Sequence, residues 1–320
     1  MTDPRTWLDT LLEISIVGSF SRVGYRIRRR LFDWSVPESG ALAGKTALVT
    51  GPTSGLGRAT VDALAGHDAR VILVGRNEAR LGRVRDSLVA RHGEDRFPIV
   101  VADMSSLASV RAAVARVLES EPELDILVDN AGAINEHRTV TEDGLEATFA
   151  TMVAGPFVLI SGLLPLLERS GGRVITVVSG GMYGQVLPLD DLQFERGEYN
   201  GTLAYARAKR AATNITREWA RRNGASGVRF NAMHPGWADT PGLAEALPGF
   251  YEFMGPVLRT PAEGADTISW LATGAEAGLP GGRLYLDRRP RPFDRLRSTR
   301  LSAAERRELW DQVAALTAEG

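Results

Sequence analysis

The chain contains no cysteine among its 320 residues. This absence excludes a disulfide framework, a thiolate nucleophile and any metal site built on cysteine, and it fits a reducing, cytoplasmic location. Histidine is also scarce, and the four residues show no paired metal-ligand spacing: His67, His92, His137 and His234. We therefore expect no bound metal, and we expect each histidine to be an ordinary surface or loop residue.

Neither sign of charge is in excess, since the formal net charge is -1 with 24% charged residues. The composition gives no reason to expect nucleic acid as a partner. A long uninterrupted hydrophobic run is missing from the N-terminal region, where Glu13 and several arginines break the apolar pattern, so we predict neither a membrane span nor a secretory signal there. With 44% hydrophobic residues, the chain is typical of a soluble protein with one large α/β domain.

Residues 1–40 form a segment of their own. Apolar side chains recur there at helical spacing: Leu8, Leu11, Leu12, Ile16, Phe20, Val23, Ile27 and Leu31. The pattern predicts a helical arm, and arginines follow on its polar side. There are two alternatives for the surface that covers this apolar stripe. It packs on the main domain or a second subunit, or it lies as a basic amphipathic segment on a membrane surface.

A regular alternation of strands and helices begins at Lys45. The apolar run 45–50 reads as a buried strand, and a glycine-rich turn leads from it directly into a helix. Such a turn brings backbone N–H groups and the positive end of the helix dipole to an anion, here a dinucleotide pyrophosphate. The residues that we expect to contact the dinucleotide in this turn are Gly51, Thr53, Ser54, Gly55, Leu56 and Gly57.

Residues after the second and third strands suggest the type of dinucleotide. The strand 70–75 ends at Arg76, where an arginine accommodates a 2′-phosphate and an acidic residue would bind a free 2′-hydroxyl. We therefore favour NADP(H) over NAD(H), although Arg76 could also be a solvated residue at the start of a helix. Asp103 and Met104 are expected near the adenine; alternatively, Asp103 caps the next helix.

The fourth strand, 125–128, runs into Asn130, Ala131 and Gly132, small residues that leave room for a cofactor ring or ribose. The alternation predicts a Rossmann-type α/β fold with a doubly wound, mostly parallel sheet in a three-layer α/β/α arrangement. We divide the chain into the arm (1–40), a single catalytic domain (41–290), and a C-terminal basic tail and helix (291–320). The arginines of the tail indicate a solvated surface or, alternatively, a binding surface for acidic lipid or protein.

Tyr205 and Lys209 stand four residues apart on a predicted helix and therefore on one helix face. A cation near a phenol favours its ionisation, which makes tyrosine a candidate acid/base group. Ser179 stands at a strand end, where its hydroxyl can donate to a substrate oxygen. After the strand 228–233, the loop with Pro235, Gly236 and Thr240 leads into an apolar segment that we interpret as a lid over an apolar substrate, the alternative being a core flap.

These motifs, in this order and spacing, resemble the short-chain dehydrogenases/reductases over residues 42–290. The sequences 173–182 and 233–242 are similar to the subgroup of dehydrogenase/reductase member 12, whose members also carry an N-terminal arm. The resemblance implies hydride transfer between NAD(P)(H) and a carbonyl or alcohol. It implies Tyr205 as acid/base, Lys209 as the group that lowers the tyrosine pKa and holds the nicotinamide ribose, and Ser179 as hydrogen-bond partner of the reacting oxygen. It also implies that Thr240 reaches the nicotinamide, and it implies a homo-oligomer.

Two positions depart from the family pattern. Asp129 replaces the first asparagine of an Asn-Asn-Ala-Gly motif, and Met152 replaces an asparagine that helps hold a proton-relaying water in the family. A thioether is a weak acceptor and cannot donate a hydrogen bond. Two alternatives follow: protons reach Lys209 by another path in a slower enzyme, or the protein is a catalytically weak dinucleotide-binding sensor or interaction protein.

Overall fold

The computed structural model describes residues 4–35, 37–93, 96–274 and 279–318. One eight-stranded sheet in the order β3-β2-β1-β4-β5-β6-β7-β8 forms its centre, and all neighbouring pairs are parallel except β7 with β8. The strands are β1 Thr46–Thr50, β2 Arg70–Gly75, β3 Ile99–Val101, β4 Ile126–Asp129, β5 Arg173–Val177, β6 Arg229–Met233, β7 Arg283–Leu286 and β8 Arg289–Arg291. The predicted Rossmann-type fold and parallel sheet are confirmed. The strand β8 is missing from the sequence prediction, and it crosses the predicted domain boundary at residue 290.

Helices cover both faces of the sheet, because apolar side chains on every central strand need cover on each side. The helices are α1 Pro4–Ile14, α2 Ile16–Phe20, α3 Arg22–Leu31, α4 Gly55–Gly66, α5 Glu78–His92, α6 Leu107–Ser120, α7 Ala147–Phe149, α8 Gly155–Ser170, α9 Gly201–Arg222, α10 Pro241–Ala246, α11 Pro248–Met254, α12 Pro261–Thr273 and α13 Ala303–Thr317. Side-chain caps fix several starts; the Thr260 hydroxyl, for example, forms a capping box with Glu263 at α12.

The core lies in two layers, one on each side of the sheet. One layer joins the sheet to α6, α8, α9 and α13, and it contains the stacked rings of Trp219 and Phe230. The other joins the sheet to α4, α5 and α12, with Leu64, Leu81 and Ile268 fully buried. The candidate site lies at the sheet edge formed by the carboxyl ends of the strands, and some of its residues, such as Tyr205 and Leu56, pack against these layers.

A continuous helical stretch, Ala147–Ser170, passes through the core. A π-helical turn, Ala150–Ala154, separates α7 from α8 in it. Among the described residues, this is the one helix long and apolar enough to cross a membrane by length and composition, but 67% of that apolar stretch is buried in the protein. Burial on the sheet explains its hydropathy, as in the core helix of a globular domain. The π-turn holds Met152, and such turns often mark functional positions.

The N-terminal arm, α1 to α3, packs on the domain through polar and aromatic residues. Arg28 is fully buried and forms ion pairs with Asp9 of α1 at 2.7 Å and with Asp287 after β7, also at 2.7 Å. Asp287 also binds Arg259 at 2.6 Å, and the Arg259 guanidinium donates to the backbone carbonyl of Phe20. A chain of buried charges therefore ties the arm to the domain.

The apolar stripe of the arm mostly faces outward. Among its residues Ile16 is 57% exposed and Val23 is 51% exposed, whereas Phe20 is enclosed by the domain. Three further apolar side chains of the arm lie beside the stripe and are also exposed: Trp7, Ile14 and Val17. Packing of the stripe on the main domain is therefore seen at Phe20 but not along most of the stripe, and a second subunit or a membrane surface stays a prediction for the rest. The physical reason is the buried ion-pair network, which orients the opposite face of the arm toward the sheet.

The arginines of the predicted basic tail also meet the arm. Arg289 and Arg291 bind the Asp9 carboxylate at 3.1 and 2.9 Å, and Arg295 pairs with Glu13. Burial would raise the pKa of Asp9, but the hydrogen bonds and charges of these and neighbouring arginines outweigh it and hold the pKa below its ordinary value. Both tail interpretations are wrong for these three arginines, because acidic residues of the same chain neutralise them.

Candidate active site

The candidate site lies where the carboxyl ends of β1, β4, β5 and β6 meet, the edge at which open α/β sheets bind ligands. The glycine-rich turn follows β1, the small residues 130–132 follow β4, and Ser179 follows β5. The loop 234–240 follows β6, and α9 brings Tyr205 and Lys209 to the same edge. Sequence-distant motifs thus converge because the strands run parallel.

The glycine-rich turn forms an anion cradle. Gly51 and Gly55 have φ of +67° and +51°, in the left-handed region that favours glycine. A Cβ on Gly57 would lie 2.1 Å from the Gly51 carbonyl oxygen, so only glycine lets the helix α4 start this close to β1. Thr53 and Leu56 are half-buried, and Ser54 is exposed at the N-cap of α4. The shape and the free N–H groups at the start of α4 fit a dinucleotide pyrophosphate.

Asn130 braces the cradle from the end of β4. Its amide Nδ2 donates to the backbone carbonyls of Thr50 at 2.9 Å and Gly51 at 3.3 Å. The Thr50 hydroxyl accepts from the backbone N–H groups of Asn130 and Ala131, both at 2.9 Å. The side chain of Asn130 is therefore used in holding the turn. Gly132 is exposed and stands beside Met152 and Lys209.

The three residues expected at the adenosine end of the dinucleotide differ in how the structure places them. Arg76 is exposed at the end of β2. It lies close to the cradle, since the Gly51 N–H donates to the carbonyl of Val74, two residues before Arg76. The Asp103 carboxylate accepts from the Ser105 N–H at 2.9 Å and the Ser105 hydroxyl at 2.7 Å, so it shapes the turn before α6. The N-cap of α6 is Ser106, not Asp103. The Met104 side chain is buried in the core, which leaves its backbone for any cofactor contact.

Ser179, Tyr205 and Lys209 come together between β5 and α9. The Ser179 hydroxyl is in hydrogen-bonding contact with the Tyr205 phenol. The Lys209 ammonium lies 5.8 Å from the centroid of the Tyr205 ring and donates to the Val177 carbonyl at 2.7 Å. Lys209 is 4% exposed, which is unusual for a lysine. A buried ammonium group needs a hydrogen-bond partner, and the Val177 carbonyl provides one.

Burial dominates the electrostatics of this trio. It raises the pKa of Tyr205 above its ordinary value, and the Ser179 contact lowers it in part. Burial also lowers the pKa of Lys209, while the Asp129 carboxylate raises it in part. Lys209 is not among the causes of the shift in the tyrosine pKa, and its ammonium group donates to the Val177 carbonyl instead.

The loop after β6 depends on the N-terminal arm. Gly236 has φ of +72°, and a Cβ there would lie 2.5 Å from the Phe20 carbonyl oxygen. The next residue, Trp237, donates its N–H to that same oxygen at 2.8 Å. The Phe20 ring packs against Gly180, directly after Ser179. The sequence analysis missed Phe20 as a neighbour of the site, and no local pattern could have revealed it, since the contact depends on docking of the arm.

His234, just before Pro235, contradicts the expectation of a surface histidine. It is fully buried, with its ring 4.9 Å from that of Phe20 and 5.7 Å from that of Tyr183. Burial, with several arginines nearby, lowers its pKa well below the ordinary value, so the ring is neutral. The ring packs against aromatic neighbours, while both of its nitrogens are buried without a hydrogen-bond partner among the described residues.

The predicted lid folds as α10 and α11. Thr240 caps α10, accepting from the Leu243 N–H, and its methyl group lies beside Gly55 of the cradle. Phe250 packs on Trp237 with ring centroids 5.2 Å apart, while Phe253 is 83% exposed. The apolar segment therefore starts at the cradle and extends outward over the same edge of the sheet.

Comparisons with known proteins agree with this geometry. A sequence model of the family described as short chain dehydrogenase matches residues 45–248. Human dehydrogenase/reductase SDR family member 12 (Homo sapiens) is 41% identical over 251 residues, which cover 78% of this chain and 78% of that protein. Retinol dehydrogenase 14 of Mus musculus is 36% identical over 294 residues, 86% of each chain. The crystal structure of an uncharacterised protein from Mycobacterium Paratuberculosis superposes with a TM-score of 0.68 at 28% identity, covering 88% of this chain and 98% of that one.

Proposed function

The chain belongs to the short-chain dehydrogenase/reductase family, in the subgroup of member 12, and from that premise we propose that it is an NADP(H)-dependent oxidoreductase. Its substrate would be a small, apolar carbonyl compound or secondary alcohol. The observation that carries the proposal is the convergence of Tyr205, Lys209 and Ser179 on the sheet edge that also holds the glycine cradle.

In this proposal a bound nicotinamide dinucleotide supplies or accepts the hydride. Gly51, Gly55 and Gly57 hold its pyrophosphate, while Pro235, Gly236 and Thr240 line its nicotinamide end. The Tyr205 phenol gives a proton to the oxygen of the carbonyl, or takes one from the alcohol in the reverse direction. The Ser179 hydroxyl donates a hydrogen bond to that oxygen and orients it.

Three observations support the finer features of the proposal. The exposed Arg76 at the end of β2 favours NADP(H), since it can pair with a 2′-phosphate. The apolar α10–α11 segment beside the cradle favours an apolar substrate, and the relative named for retinol acts on an apolar alcohol. The outward apolar stripe of the arm favours peripheral contact with a membrane, on the cytoplasmic side. The homo-oligomer that the resemblance implies stays a prediction.

Turnover of a panel of lipid-like ketones and alcohols, followed by nicotinamide absorbance, tests the proposal. We expect turnover with NADPH that falls about 10²- to 10⁴-fold in Tyr205→Phe, because general acid–base help is typically of that size. NADPH binding should persist in the variant. Tyr199→Phe, which removes a phenol bound to Glu146, is the matched control and should retain turnover. Tight NADPH binding without turnover on any substrate would favour the catalytically weak binding protein instead.

A further inference from the structure

Asp129 is a buried carboxyl group behind the catalytic trio. It ends β4, stands in register with Thr176 of β5, and is 4% exposed. Within the part of the chain that the structure describes, no group donates a hydrogen bond to its carboxylate. A buried carboxylate without donors is costly, and most such groups in proteins are satisfied by a partner or by an ordered water. Packing alone therefore gives no reason for an acid at this position.

A small cavity adjoins this carboxyl group. Its volume is about 10 Å³, and its polar lining comes from Asp129, Thr176 and Thr216, with Met152 and Trp219 among the apolar lining residues. The Thr216 hydroxyl donates to the Ala212 carbonyl at 2.8 Å, so its lone pairs remain able to accept. A site of this size and polarity can hold one water molecule that donates to Asp129 and to a threonine.

Lys209 is not one of the residues that line the cavity, but it lies near one of them, Met152. Met152 lines the cavity, and a Cβ on Gly132 would lie 3.0 Å from the Met152 sulfur and 3.6 Å from the Lys209 ammonium nitrogen. Among the described residues, β5 presents Thr176 toward Asp129, the helical stretch 147–170 presents Met152, and α9 presents Thr216. Lys209 of α9 is the one charged group whose field acts on Asp129.

We propose that Asp129 is the proton-relay residue of this site, passing protons to and from Lys209 through a water held in the cavity. The relay would take the place of the asparagine that Met152 replaces. In carbonyl reduction the Tyr205 phenol gives its proton to the substrate oxygen, Lys209 returns a proton to Tyr205, and the water passes one from Asp129 to Lys209. Solvent then protonates Asp129, and alcohol oxidation runs the same steps in reverse.

The acidity of Asp129 fits such a role. Burial raises its pKa to about 7, and the Lys209 ammonium lowers it in part. The carboxyl group is therefore protonated below this pH and ionised above it, so near neutrality it can both accept and donate a proton. An asparagine cannot exchange protons in this way.

Asp129→Asn tests the inference, which rests on the proposed function. We expect kcat to fall about 10-fold or more with little change in KM, because a relay acts on turnover and not on binding. Met152→Asn should restore kcat in the Asp129→Asn background and change it little in the wild type. The relay would be overturned if Asp129→Asn kept the wild-type kcat at every pH. It would also be overturned if the double variant Asp129→Asn/Met152→Asn lost as much kcat as Asp129→Asn alone.

A second readout does not need turnover. Infrared spectroscopy of the full chain should show a protonated carboxyl band that is lost with a pKa of about 7 and is missing in Asp129→Asn. Because folding raises the pKa of Asp129 from 3.8 to about 7, this group lowers stability as the pH rises between these two values, and the full loss is present above about 7. Asp129→Asn should therefore be at least as stable as the wild type there, which excludes unfolding as the cause of lost activity. Without such a band, the relay is wrong. If the wild type turned over no substrate, the proposed function would fail, and the infrared titration would still decide on the relay.

Discussion

Arg76 is the residue on which cofactor choice depends in the proposed function. Its side chain is exposed and makes no ion pair with another described residue, so it can bind a 2′-phosphate through charge-assisted hydrogen bonds. We expect Arg76→Ala to weaken NADPH binding about 10- to 100-fold, since hydrogen bonds to charged groups are worth about 1.5–3 kcal/mol. NADH lacks the phosphate and should bind almost unchanged. Fluorescence titration with both cofactors measures the two dissociation constants.

Arg116→Ala is the control for this prediction. Arg116 is also exposed, but it lies on α6, so the substitution removes the same charge without touching the end of β2. Both cofactors should bind to Arg116→Ala as to the wild type. An equal loss of NADPH and NADH affinity in Arg76→Ala would contradict the preference for NADP(H).

For single residues, the sequence was sufficient to identify Ser179, Tyr205 and Lys209 as candidate site residues, because their positions follow from a strand end and from helical spacing. It could not predict the direction in which the pKa of Tyr205 shifts, because that shift depends on burial by residues distant in the chain. Asp129 was visible as an acid at the end of an apolar strand. Its isolation from donors became apparent only once β5 and α9 were packed around it.

The N-terminal arm is the element whose docking depends most on charge. Asp287 is 1% exposed and binds both Arg28 of the arm and Arg259 of the domain. We expect Asp287→Asn to lower the free energy of unfolding by about 3–5 kcal/mol, because the buried Arg259 loses the carboxylate that it pairs with, while Arg28 keeps Asp9 and Glu13. The change does not strain the backbone, since asparagine tolerates the φ of +55° found there. Denaturant unfolding measures the loss.

Asp190→Asn provides the comparison for the buried pair. Asp190 pairs with Arg196 at the surface, and both side chains are exposed. Exposed pairs contribute little to stability, so unfolding of this variant should match the wild type. Unchanged stability in Asp287→Asn would show that the buried charges do not hold the arm.

The arm also shows what the local sequence pattern can and cannot predict. Helical periodicity located its helices, because spacing of three and four is a property of the segment alone. The face that packs was not predictable, since the partners of Arg28 and Asp9 include Asp287 and Arg291, more than 250 residues away in the chain. The same long-range pairing explains why β8 was read as part of a solvated tail.

For the whole molecule, the alternation of strands and helices was sufficient to predict the sheet. Apolar β-branched runs, glycine turns and capped helices repeat along the chain, and parallel order with right-handed crossovers leaves few alternatives. The boundaries of β2 agree with the prediction to the residue, and those of β4 and β6 agree to within one residue. What stayed open was the outer surface, because an apolar side chain in a helix does not specify which partner covers it.

The exposed stripe of the arm, together with Trp7, Ile14 and Val17 beside it, gives the molecule a candidate face for a membrane. Trp7 is 60%, Ile14 74% and Val17 54% exposed, and they belong to an element fixed to the domain by buried charges. We expect the wild type to float with liposomes that contain anionic lipid. The triple variant Trp7→Ser/Ile14→Ser/Val17→Ser should bind at least about tenfold more weakly, because each buried apolar side chain contributes on the order of 1 kcal/mol or more.

Leu118→Ser is the matched control, since Leu118 is 42% exposed but lies on α6, outside the arm. This variant should float like the wild type, and all variants should unfold at wild-type denaturant concentrations because the changed side chains are exposed. Equal flotation of the triple variant and the wild type would contradict a role of the stripe. If the wild type does not float but forms a dimer that the triple variant breaks, the stripe is a subunit contact, because the same apolar area would then be covered by a second copy of the chain.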